Sequence, residues 1–109
     1  MVEMTLREVC KILGVSRRAV QGYEKAKLVS ATGRTDSGYL LYNDKARERI
    51  KQIKLFQDMG FSIKEIASII DAPASVKKDA LILRKEELAK DIVHSQAMLD
   101  IIQEMVDKL

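Results

Sequence analysis

Ser16, Arg17 and Arg18 stand in a row within GVSRRAVQGYE, the segment from Gly14 to Glu24. A serine in such a place starts a helix by accepting an amide hydrogen bond from the first turn. The two arginines then occupy the end where the backbone dipole is already positive, and cations there are locally unfavourable. A guanidinium presents its donors in a planar fork that matches phosphate. An external polyanion would supply the negative charge that this helix end lacks. Gln21, one turn further on, carries an amide suited to adenine or to a phosphate.

Other chemistry has few carriers. His94 is the sole histidine, so a paired-histidine site within one chain is excluded. It stands beside Asp91 in helical spacing and reads as a structural or surface residue. Cys10 is the sole cysteine, which excludes an internal disulfide and a cysteine-rich metal site; it reads as a small buried side chain. ILGVS holds a single glycine and makes no phosphate loop. The sequence therefore reads as a non-enzyme, with no metal and no cofactor.

The elements that position the arginines follow from periodicity and punctuation. The 109 residues are 47% apolar, with one proline and five glycines, which favours a small helical domain. No apolar run reaches membrane-spanning length, and a soluble cytoplasmic protein is expected. Charge is uneven: residues 1–60 hold twelve Lys/Arg against seven Asp/Glu, whereas residues 61–109 hold seven against nine. A basic front suits a polyanionic partner.

Thr5 and Glu8 form a capping box, followed by Leu6, Val9, Ile12 and Leu13 at helical spacing. Gly14 stops this helix and Ser16 caps the next, in which Ala19, Val20 and Tyr23 face the first. Two short helices joined by a tight turn make a helix-turn-helix. Leu28–Ala31 and Tyr39–Tyr42 read as the strands of a β-hairpin around the turn-forming TGRTDSG. Asn43 or Asp44 caps a third helix with Ala46, Ile50, Ile53 and Phe56 on its apolar face, ended by Gly60. Ser62 and Glu65 form a second capping box before a fourth helix.

DAPAS, from Asp71 to Ser75, breaks the pattern with the only proline. The expected organisation is a DNA-binding domain over 1–71, a linker over 72–75 and one long helix over 76–109. Leu81, Leu88, Ile92, Leu99, Ile102, Val106 and Leu109 recur at spacings of three, four and seven, interrupted at Lys85 and Ser95; Met98, Ile101 and Met105 widen the stripe. Either the chain's own domain or a second chain buries this seam. The complete core set before Pro73 favours a second chain, through Leu88, Ile92, Leu99, Ile102, Val106 and Leu109.

On this frame the recognition helix presents Ser16, Arg17, Arg18 and Gln21 to a DNA groove. The hairpin acts as a wing, with Arg34 near its tip and Tyr39 and Tyr42 reaching phosphates through their hydroxyls. Ser62, Ile63 and Lys64 offer backbone amides to a further phosphate. Two other readings share these features: an architectural or excisionase-like DNA bender, and a protein-interaction module without DNA binding.

MTLREVCKILGVSRRAVQGYEKAKLV, DSGYLLYND and IKLFQDMGFSIKEIASII together resemble the MerR family of bacterial transcription regulators, from Met4 to about Ile70. The resemblance implies a mainly α fold: a winged helix-turn-helix of four short helices and a small β-hairpin, followed by a long coiled-coil helix. It implies an antiparallel homodimer on a near-palindromic promoter operator in double-stranded DNA, which it bends and untwists for RNA polymerase. Arg17, Arg18, Tyr23, Tyr39 and Tyr42 fall on family contact positions. Gln21 and Gly22 replace the usual arginine and second aromatic, and Leu40 replaces the usual wing arginine. Relatives sense effectors through segments after the long helix, and metal-sensing ones through cysteines near its end. No such cysteine is present here, so metal sensing of that type is not expected and the effector stays open. Antiparallel rods imply half-sites about two helical turns apart, rather than the single turn of about 34 Å.

Overall fold

Thr5 does two jobs in the computed structural model, which describes residues 2–109. It ends the short strand β1 (Met4–Thr5) and caps α1 (Leu6–Leu13). The Glu8 amide donates to Thr5 Oγ1 at 3.3 Å, and the Thr5 amide donates to Glu8 Oε1 at 3.0 Å. The Thr5 amide, joined by the Thr5 hydroxyl donating to the same Oε1 at 3.0 Å, holds the Glu8 carboxyl below its usual range. Gly14 closes the helix at φ 65°, a left-handed conformation that suits a residue without Cβ. Ser16 then caps α2 (Arg17–Lys25), accepting from the Ala19 amide at 3.0 Å.

Val9 of α1 and Val20 of α2 are both wholly buried in one core cluster. Ile12, expected on this face, instead lies 62% exposed, because Val9 and the half-buried Leu13 take the inward positions. Beyond α2 the expected strand over Leu28–Ala31 does not form. Lys27 turns left-handed at φ 62°. The Leu28 amide goes back to the Tyr23 carbonyl at 3.0 Å, so Leu28 and Val29 enter the core as irregular chain.

Strand pairing begins later. β2 (Gly33–Arg34) and β3 (Leu40–Tyr42) form an antiparallel hairpin, and β1 adds on the other side of β3 to give the order β1-β3-β2. Met4 pairs with Tyr42 and Gly33 with Leu41. The turn is held by the Thr35 amide on the Tyr39 carbonyl at 2.8 Å and by Gly38 at φ 90°.

Asn43 caps α3 (Asp44–Asp58), accepting from Ala46 at 2.9 Å. Ala46, Ile50 and Ile53 enter the core, and Phe56 packs edge-on against Phe61 at a centroid distance of 5.7 Å. The Ser62–Glu65 capping box starts α4 (Ile63–Ile69), which contributes Ile66 and Ile69. Arg49 ties these pieces together: its Nε donates to the Leu28 carbonyl at 2.8 Å and its two terminal nitrogens to Asp71 at 2.7 Å each. The result is mainly helical, with a three-stranded wing sheet.

The chain divides into two compact units, one ending at Asp71 and the other spanning Ala72–Leu109. The second is α5 (Ala74–Asp107), 34 residues and so about 50 Å long. It starts two residues before the expected position because the Pro73 carbonyl accepts from both Val76 and Lys77 at 3.1 Å. None of its residues is buried. Among the described residues no helix is long and apolar enough to cross a membrane, and no cluster of metal-ligating side chains occurs.

Candidate nucleic-acid interface

The first turn of α2 carries no acidic residue. Ser16, Arg17, Arg18 and Gln21 are all exposed, while Val20 and Tyr23 on the opposite face are buried. The Ser16 cap takes up the Ala19 amide, so the arginines ride on a fixed turn with their guanidinium groups outward.

Arg17 also lines a concavity of about 730 Å³ shared with Thr5, Leu6, Arg7, Gly38, Tyr39 and Leu40. Three elements meet there: the starts of α1 and α2, and the wing. Arg7, Arg17 and Tyr39 therefore border one recess together with Leu6 and Leu40, and Tyr39 is 67% exposed. That combination suits a polyphosphate strand, in which charges are met by arginine and sugars by an aromatic ring.

Arg7 was not among the sequence candidates. Its signal was available: a basic residue in the first turn of a capped helix repeats the oddity of Arg17 and Arg18. What the sequence could not supply was the pairing of β1 with β3, which brings that turn beside the wing.

Arg34 is exposed on β2, and its Nη1 donates to the Gly38 carbonyl at 3.4 Å, which holds it along its own wing. Ser62 and Lys64 are exposed at the start of α4. The Ser62 amide is not free, since it donates to Glu65 Oε1 at 2.9 Å while Glu65 caps back on Ser62 Oγ at 3.1 Å. The amide cradle expected there is thus reduced and carries a carboxylate.

Two expected contacts are corrected by burial. Tyr42 is fully buried and its hydroxyl donates to Glu24 Oε1 at 2.5 Å. Tyr23 is 2% exposed and donates to Gln57 Oε1 at 2.6 Å. An amphipathic ring that finds an internal acceptor goes inward. Desolvation, reinforced by the Glu24 carboxylate, pushes the Tyr42 phenol well above its ordinary range. Desolvation also raises the Tyr23 phenol from its ordinary value, with Asp58 adding to it. Both rings serve as struts beneath α2: one to the wing strand, one to α3.

Residues 4–72 match the profile of the MerR HTH family regulatory proteins. The chain belongs to the MerR family. The matched stretch covers the capped helices and the wing of the first unit, with α5 after it.

Among relatives, the chain is 38% identical over 98 residues to the HTH-type transcriptional activator mta of Bacillus subtilis, covering 90% of this chain and 37% of mta. The chain thus spans little more than a third of the length of that relative. A MerR-family transcriptional regulator from Bacillus cereus superposes with a TM-score of 0.83 at 26% identity, covering 98% of this chain and 82% of that one. HiNmlR, a MerR-family regulator lacking the sensor domain and solved on promoter DNA, shares the fold at a TM-score of 0.72 and 19% identity, over 96% and 88% of the two chains.

Proposed function

We propose that this MerR-family chain is a sequence-specific, DNA-binding transcriptional regulator that acts as a homodimer on a near-palindromic promoter operator. The observation that carries this reading is the cationic recess formed by Arg7 and Arg17 with Tyr39, beside the exposed Arg18 and Gln21. α2 enters the major groove by its N-terminal turn. Arg17 and Arg18 neutralise phosphates or pair with guanine edges, and Gln21 reads a base one turn on. The wing lays Tyr39 and Arg34 along the adjacent backbone, and Lys64 takes a further phosphate.

Homodimerisation rests on α5. Leu88, Ile92, Leu99, Ile102 and Val106 are exposed along it, as is Leu109 just past its end. Burying side chains of this kind is worth about 1.5–3 kcal/mol each, and a second α5 is the surface that matches them. Antiparallel rods separate the two Pro73 junctions, so each copy reads its own half-site. Distortion of the DNA between the half-sites, for use by RNA polymerase, follows from holding both copies on one duplex face.

Selection of bound fragments from random duplex DNA tests the reading. Recovery of an inverted repeat with half-site centres about two helical turns apart supports it. Recovery of bent fragments unrelated in sequence favours the architectural role instead, and failure to recover any duplex at low salt overturns DNA binding.

A further inference from the structure

The charges along α5 are sorted by position. Residues 74–90 carry five Lys/Arg against three Asp/Glu, and residues 91–109 carry one against four. Within the basic half, Lys78 and Lys85 stand seven residues apart and flank Leu81 and Ile82 around a shallow apolar recess. Within the acidic half, Asp100 and Asp107 also stand seven apart. Seven residues are about two helical turns, so each pair lies on one side of the rod. Gln96 and Gln103 each donate to the aspartate four residues on, at 3.0 and 2.9 Å, which sets both carboxylates on a common edge. Lys78 and Lys85 have no ion-pair partner among the described residues and are exposed.

We propose that α5 pairs with a second copy in a single antiparallel register, fixed by Lys78 against the partner's Asp107 and Lys85 against the partner's Asp100. The proposal rests on the homodimer reading and adds what selects orientation and alignment. Setting Leu81 beside the partner's Val106 automatically sets Leu88 beside the partner's Leu99, since both steps are seven residues. In that same alignment Lys78 reaches the partner's Asp107 and Lys85 the partner's Asp100. Two-fold symmetry doubles both pairs. A parallel, in-register pair instead stacks lysine on lysine and aspartate on aspartate, which like-charge repulsion opposes. Apolar seam and charged edge therefore agree on one alignment, and they disagree with a shift of one heptad, which leaves Lys78 or Asp107 unmatched. This register separates the two α5 starts by about 60 Å, in keeping with half-sites two turns apart.

The test is a charge exchange on the full chain, read by sedimentation equilibrium. One variant carries Lys78→Glu and Lys85→Glu; the other carries Asp100→Lys and Asp107→Lys. Each alone should dimerise at least about tenfold more weakly than wild type, because four attractive contacts become repulsive. An equimolar mixture should regain near-wild-type association as a heterodimer, since every reversed charge then faces its complement. Neutral Lys78→Gln, Lys85→Gln should weaken the dimer less than the glutamate variant does. Reversed variants that each dimerise as tightly as wild type, or a mixture with no recovery, overturn the register while leaving the dimer standing. A wild-type chain that sediments as a single copy overturns the homodimer reading itself.

Discussion

The Tyr42 hydroxyl donates to Glu24 Oε1 at 2.5 Å and so joins the end of β3 to the last turn of α2. The wing and the helix that bears Arg17 and Arg18 are thereby one mechanical piece. Their spacing is set inside the protein before any DNA arrives.

Tyr42→Phe should lower stability by about 1–2 kcal/mol in urea unfolding near neutral pH, the cost of a lost charged hydrogen bond. The alkaline response carries a distinct signature. Burial and Glu24 raise the folded-state pKa of Tyr42 above its unfolded value of about 10. The unfolded chain therefore ionises first, so stability is intact below about pH 10 and falls as pH rises further. The Phe variant should show a shallower fall than wild type between pH 9 and about 11; equal slopes would discount the coupling.

Arg17→Ala and Arg7→Ala should each reduce the salt slope of duplex binding by about one, measured as log affinity against log salt. For Arg7 this checks a contact that comes only from the folded arrangement of α1 against the wing. An unchanged slope for Arg7→Ala places the phosphate path away from the start of α1.

Gly22 lies exposed within α2, and a Cβ built there meets nothing within 4 Å. Gly22→Ala should stabilise the fold by about 0.5–1 kcal/mol through helix propensity alone. The urea midpoint reads this directly. A loss of stability would reveal a close neighbour that the geometry does not show.

Asp71→Ala removes the carboxylate that takes both terminal nitrogens of Arg49. Because Asp71 is 75% exposed, the loss should be only about 0.5–1 kcal/mol and should shrink in high salt. Arg49→Ala also forfeits the bond to the Leu28 carbonyl and should cost about twice as much. Thermal unfolding at low and high salt separates the two.

Much of this architecture is legible from short-range chemistry. Thr5 with Glu8, Ser16, and Ser62 with Glu65 cap the helices they were expected to cap, and of the two candidates Asn43 and Asp44 it is Asn43 that caps α3, because a cap depends on residues within one turn. Long-range choices are not written locally. Leu28 and Val29 are apolar because they fill the core, and nothing in their spacing distinguishes that from a strand. β1 has two residues, too few for an alternating pattern, and its partner lies far along the chain. The three tyrosines divide on the same ground: Tyr23 and Tyr42 find internal acceptors and Tyr39 does not. Arg7 joins the recess only once β1 has paired.

The strand order β1-β3-β2 puts the three-residue strand in the middle and leaves two-residue strands at both margins. An edge that short cannot template a growing stack of foreign strands. The stickiest stretch of the chain, α5, has meanwhile committed its amides to its own helix. Its exposed apolar side chains are therefore presented without a free backbone edge for a foreign strand to join.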